Sequence, residues 1–348
     1  MTRRGMQQIS LSDPTFTKAD ETSFDRFALL FINDVRDVPF LRLLLVLTFT
    51  IVPSGVAMFV FGFRWAHAVP HLVAELWFMG PYILMLHNTC HRKFFNKKWA
   101  SLNHYIPWVL GPFFGETPDT YFAHHVGMHH PENNLPDDLS TTLRYRRDSL
   151  WGFTRYFTRF AVGILFELPR YFVRKNRKSL AFKSVIGEFI YFGVMGALAY
   201  FVDWRATLAV FIVPYVLTRL LMMCGNWGQH AFVDKDAPEN CYRNSITCIN
   251  AGYNRRCFND GYHIGHHVKQ TRHWTEMPEE FSKNIATYAK ERAIVFAGID
   301  FFMVWVYLML GAYKTLAKAY VQLDEENKLS EAEIIELMKS RTRWTLPG

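Results

Sequence analysis

The sequence predicts an all-α integral membrane protein in which two transmembrane helix pairs are capped by a cytosolic helical domain. Three observations lead there. Long apolar runs alternate with strongly basic segments, so the mean hydropathy of −0.02 averages two unlike kinds of chain. The apolar runs come as two close pairs, each joined by a turn of a few residues. Clusters of histidine follow where the second helix of each pair ends. A formal charge of +8 describes a face lying against anionic headgroups. No basic stripe stands apart from the apolar runs, which argues against nucleic acid as a partner.

Each element can be justified in order. Residues 1–38 are polar and mixed in charge, which predicts a cytosolic N-terminal segment with no cleaved signal. Leu43 to Phe63 is nearly continuous apolar chain, enough at about 1.5 Å per residue to cross roughly 30 Å of hydrocarbon. Arg64 to His67 makes a tight interfacial turn, and Val69 to Leu86 returns. Glu75 and Pro81 in that returning run are features a lipid-facing helix avoids, so Glu75 is assigned to the bundle interior. From His91 to Lys183 cations dominate, starting with Arg92, Lys93, Lys97 and Lys98, while the turns at Arg64 and Arg205 carry almost no charge. The positive-inside rule therefore puts the long loop in the cytosol.

Within that loop, Tyr105 to Gly115 is apolar but too short to span, which predicts an interfacial or re-entrant piece. Trp151 to Val173 interleaves aromatic residues with Arg155, Arg159, Arg170 and Arg174, the pattern of an amphipathic helix on the membrane surface or packed on protein. Val185 to Val202 and Ala206 to Met223 form the second pair, joined by Asp203-Trp204-Arg205. Glu239 to Arg292 is polar and turn-rich, and folds back over the other histidines. Ala293 to Tyr313 is apolar but holds Asp300, and is read as an interfacial or site-covering helix. Residues 39–313 then make one membrane domain, and 314–348 a charged helical tail. Five cysteines with no Cys-x-x-Cys pair predict no disulfide framework and a reducing setting. Cys90, between His87 and His91, is read as a small buried filler.

The histidines carry the chemistry. Ala123 to His130 holds four imidazoles, of which His125 and His129 lie one α-helical turn apart so that both can aim at one point, while His130 takes another azimuth. His87 and His91 repeat the spacing, His263, His266 and His267 form a third set, and His230 stands four residues after Asn226. A catalytic zinc usually takes about three protein ligands and a structural one about four. So many neutral nitrogen donors on one face predict two metal ions. Without a thiolate cluster, ligand type leaves iron, zinc or copper(II). Redox-active iron suits oxygen activation beside a lipid, where a C–H bond offers no polar handle. Glu75, Glu116 and Asp300 are candidate partners of ligand imidazoles, with ordinary bundle hydrogen bonds as the plainer reading.

His87-x-x-x-His91, His125-x-x-x-His129-His130 and His263-x-x-His266-His267 resemble the three histidine boxes of the integral-membrane fatty acid desaturase and hydroxylase superfamily, over about Leu43 to Met277. Asn226-x-x-x-His230 resembles an extra element of acyl-CoA desaturases, and Asp260-Gly261-Tyr262-His263 resembles the entry to their third box. The resemblance implies a non-haem di-iron centre on the cytosolic face, molecular oxygen as co-substrate, and a lipid acyl substrate. It implies one iron on His87, His130, His230, His263 and His267, and another on His91, His125, His129 and His266, with Asn226 acting through a water. His124 is the alternative to His125, and His104 and His273 lie outside the boxes. A fused cytochrome b5 signature is absent, which implies a separate electron donor of cytochrome b5 or ferredoxin type steered by Arg92, Lys93, Lys97 and Lys98. The expectation is a desaturase. A hydroxylase or ketolase of fatty acid, sphingoid, alkane or carotenoid substrates shares the metal site, and a zinc-dependent lipid hydrolase or a His-rich lipid receptor is the alternative of another class.

Overall fold

The computed structural model describes residues 9–18, 21–324 and 326–346. The chain is mainly helical and divides into two compact units. One comprises Met1–Thr15, Met128–Gly163 and Leu221–Gly348, and is called here the first unit; the second unit comprises Phe16–Gly127 and Ile164–Leu220.

The second unit holds most of the apolar chain. Three helical runs, Val35–Val60, Trp65–His91 and Lys178–Gln229, are long and apolar enough to cross a bilayer. The first ends because Gly62 takes a left-handed φ of +82°, a conformation that costs a glycine little, and the next helix starts three residues later. The third run has 52 residues and is broken at its middle. Asp203 is extended there, with φ −155°, and its carboxylate accepts from the Arg205 and Ala206 amides, capping the returning half. Tyr191 donates to the Phe211 carbonyl at 2.9 Å across the resulting hairpin. Met58, Ala68, Tyr191, Met195, Ala206 and Val210 share one core. The Arg205 guanidinium lies 5.5 Å from the Phe63 ring, so both turns lie at one end of this bundle. The outward residues Phe49, Phe61, Phe189, Tyr200 and Phe201 are each more than 70% exposed, an apolar surface that fits hydrocarbon rather than water. The stretch read as interfacial or re-entrant is a short π-helical turn, Ile106–Leu110, with Ile106, Leu110 and Phe114 buried. It is pinned by the Tyr82 hydroxyl on the Ile106 carbonyl and by the Tyr82 ring stacked on Phe114.

The chain is mainly helical, as expected, and the first unit adds one short pair of strands. β1 (Ile246–Ile249) and β2 (Ile294–Ala297) pair in parallel, Ile246 opposite Ile294. Parallel strands need a crossover, and here the crossover carries the third histidine set. Side chains alternate as the strand period requires: Ile246, Cys248, Ile294 and Phe296 enter one core with Phe232, Phe301 and Leu308, while Ile249 and Val295 enter another with Tyr262, Phe281 and Tyr288. The run 293–313 is therefore strand β2 followed by a helix, Phe301–Met309, whose nine residues are too few to span. Asp300 caps that helix through the Met303 amide. The apolarity of this run is that of a buried strand and core helix, which periodicity alone does not separate from a membrane segment.

Candidate metal centre

In the first unit, His263 and His267 sit one turn apart on the helix His263–Val268, and their Nε2 atoms meet at 3.0 Å. His230, just past the end of the helix Val213–Gln229, brings its Nε2 to 3.3 Å from that of His263. His129 joins them, its ring 5.4 Å from that of His230 and 5.5 Å from that of His267. One nitrogen from each of these four imidazoles lies within 4.8 Å of the others, and all four residues are buried. His266, on another azimuth of its helix, faces His130 at 3.0 Å between Nε2 atoms.

Hydrogen bonds fix the tautomers. His129 Nδ1 lies 2.7 Å from the buried Asp138 carboxylate, and His230 Nδ1 lies 2.9 Å from the Asn244 carbonyl. Both oxygens are acceptors, so both Nδ1 atoms carry the proton and both Nε2 atoms present a lone pair. Burial, reinforced by His129, pushes His230 down to about 4. Burial, reinforced by His267, drives His263 well below the ordinary histidine range. A buried cluster of imidazoles with converging ring nitrogens and no sulfur among them is the donor set of a transition metal, so the residues present fit such an ion.

The surrounding chain explains the placement. After His130, Asn133 and Asn134 take left-handed conformations, which asparagine tolerates, and turn the chain so that the Asn134 amide and the Ser140 amide and hydroxyl all donate to Asp138. A Cβ on Gly261 would fall 2.3 Å from the Cys248 carbonyl, so only glycine permits that approach beside His263. Asp13 accepts from the Tyr262 hydroxyl at 2.6 Å, the Asn250 amide at 2.7 Å and the Asn254 side chain at 3.1 Å, bracing the entry to the third set.

The second unit has its own group. His87 and His91 occupy the last turn of the helix Trp65–His91, and His91 Nε2 is 3.1 Å from His125 Nε2. The His87 and His125 rings are 4.6 Å apart. His124 is buried but belongs to neither group.

Two groupings implied earlier are corrected. His125 and His129 do not aim at one point: His125 meets His87 and His91, and His129 belongs to the quartet. His129, not His130, then joins His230, His263 and His267, and His130 pairs with His266. Asn226 uses its amide nitrogen on the Ser140 carbonyl and the Tyr156 hydroxyl. Asp138, Asn244 and Asp13 were not singled out in the sequence, and the acidic residues that were have other work. Asp300 is a helix cap. Glu75 lies 4.0 Å from His71, outside the metal groups. Burial pushes Glu116 up to about 7 against the pull of Arg219. His273 caps a short helical turn through the Thr275 amide, and His104 is exposed. Cys90 bonds the His87 carbonyl, and all five cysteines are free. Arg92 pairs with Asp34 at 3.0 Å, leaving Lys93, Lys97 and Lys98 as the exposed cations of that stretch.

Membrane-length helices joined to buried histidine clusters define a membrane enzyme of the desaturase and hydroxylase type, built to hold metal on imidazole. The fatty acid desaturase family matches residues 63–299, more than half of the chain, and the chain belongs to that family. No curated protein and no solved structure matched it.

Proposed function

We propose that this protein is an oxygen-dependent, non-haem di-iron desaturase that introduces a double bond into a lipid acyl chain. The observation that supports it is the buried quartet His129, His230, His263 and His267, with two tautomers fixed by Asp138 and Asn244. His87, His91, His125, His130 and His266 are the further ligands of the proposal, and Asn226 acts through a water. Bound iron would supply the oxygen activation that removal of hydrogen from an unactivated C–H bond requires. The chain holds protons at Nδ1 of His129 and His230, keeps Nε2 bare, and shields the quartet from water. Electrons come from a separate cytochrome b5 or ferredoxin-type protein, for which Lys93, Lys97 and Lys98 offer an exposed basic docking patch. The active site faces the cytosol, the side given to the basic loop by the positive-inside rule.

The test is expression in a host lacking desaturase activity, with lipid profiling by mass spectrometry and metal analysis of the purified protein. Acyl chains lighter by two hydrogens, together with iron in the protein, are expected. Oxygen insertion would identify a hydroxylase instead, and one zinc with no iron would overturn the redox reading.

A further inference from the structure

Arg147 is fully buried, and among the described residues its guanidinium makes no ion pair with a carboxylate, Asp148 acting on it only as a nearby charge. Its N–H groups go to carbonyl oxygens: Nε to Ala231 at 3.0 Å, Nη1 to Tyr145 at 3.0 Å and Thr142 at 3.4 Å, and Nη2 to Arg341 at 2.8 Å and Trp344 at 2.9 Å. That is the complete donor capacity of an arginine. Two of these acceptors lie at the end of the C-terminal helix Glu331–Arg343, whose last carbonyls have no partner within the helix and carry the negative end of its dipole. The Trp344 ring stands 5.2 Å from the guanidinium carbon, and the indole nitrogen donates to the Val233 carbonyl. The buried charge is thus balanced by a helix terminus, and the helix terminus is held by the charge.

What Arg147 joins is the scaffold of the histidine quartet. Ala231 follows His230. Thr142 donates its hydroxyl to the His230 carbonyl at 2.9 Å, and its amide donates to Asn134. Asn134 reaches the Asn244 side chain, and the Asn244 carbonyl takes the His230 Nδ1 proton. Asp138, the partner of His129, lies on the same loop. The C-terminal segment lies beyond the family match at residues 63–299.

We propose that Arg147 is a positioning residue for the metal centre and that the C-terminal segment Arg341–Trp344 is its counter-charge, so that the tail sets metal affinity from outside the histidine boxes. This rests on the quartet being a metal site. The experiment measures iron affinity by chelator competition on purified full-length protein, wild type beside Arg147→Lys, Arg147→Met and Trp344→Ala. Lysine keeps the charge but offers three N–H groups for five acceptors, and methionine offers none. Affinity should weaken about 10–100-fold in Arg147→Met, as is typical when an outer partner of a ligand is lost, with Arg147→Lys and Trp344→Ala smaller. Val304→Ala, which only thins the core, and Arg146→Ala, on the exposed neighbour, should bind as wild type. Those controls separate loss of positioning from loss of stability, since general destabilisation lowers yield without changing the affinity of the folded fraction. Wild-type affinity in both Arg147→Lys and Trp344→Ala overturns the proposal. A wild-type protein that takes up no iron defeats the metal-site reading itself, a different pattern.

Discussion

His87 and His91 ride on the last turn of a 27-residue helix, whereas His263, His266 and His267 ride on a helix of six residues. The long helix brings its own order: residues four apart share a face, and its internal hydrogen bonds hold them. A six-residue helix has almost no stability of its own, so its surroundings must shape it. They do so through Arg272, which donates to the Gly265 carbonyl at 2.9 Å and faces Glu280 at 3.5 Å, through Cys248 on the Gly261 carbonyl, and through Asp13 on the Tyr262 hydroxyl. Histidines delivered by a long helix should tolerate change around them. Histidines delivered by a network should not.

Substitutions can break or sharpen that contrast. The largest effect is expected at Asp138→Ala, which removes the carboxylate from His129 and leaves the Asn134 and Ser140 donors unpaired. Metal binding should weaken about 10–100-fold, as for other outer partners of ligand histidines, with turnover lost alongside. Asp138→Asn, which can still accept from His129, should fall between. Metal content and product formation measured together check it, and full activity in Asp138→Ala would end the idea that the network sets this tautomer.

Asp13→Ala comes next, acting on stability more than chemistry. It orphans three donors around Tyr262, at about 1–3 kcal/mol for each one left buried without water. The temperature of half-inactivation in detergent should drop clearly, and restoring an acceptor with Asp13→Asn should recover part of it. An unchanged temperature would show that the N-terminal segment does not brace the third box.

Two small effects complete the series. His273→Ala loses a cap worth about 1 kcal/mol and should keep its activity, because the side chain serves the Thr275 amide. Cys90→Ser, on the long helix itself, should change neither metal content nor turnover, since a hydroxyl can make the same bond to the His87 carbonyl. Lost iron in Cys90→Ser would mean that the first box depends on its surroundings after all.

The sequence carried whatever depends on neighbours along the chain. Four apolar passes and their two turns were legible because a helix must satisfy its backbone locally in hydrocarbon, so length and hydropathy suffice. The positions of His87 and His91 were legible for the same reason, as was the absence of a disulfide framework. What escaped had a long-range cause. The parallel pairing of Ile246 with Ile294 could not be read from a single apolar run, and 293–313 was taken for one helix. The division of His125 and His129 between two groups defeated an argument built on α-helical spacing. Asp138, eight residues past His130, looks like any loop acid until the turn at Asn133 and Asn134 folds it under His129. Arg147 gave no signal at all, because its five acceptors come from three separate stretches of chain. Composition and spacing alone determined that this chain belongs in a membrane and gathers histidines for metal. Which imidazoles meet, and which tautomers they hold, only the tertiary structure decided, because a lone pair is aimed by the hydrogen bond on the far side of the ring, and that partner is distant in sequence.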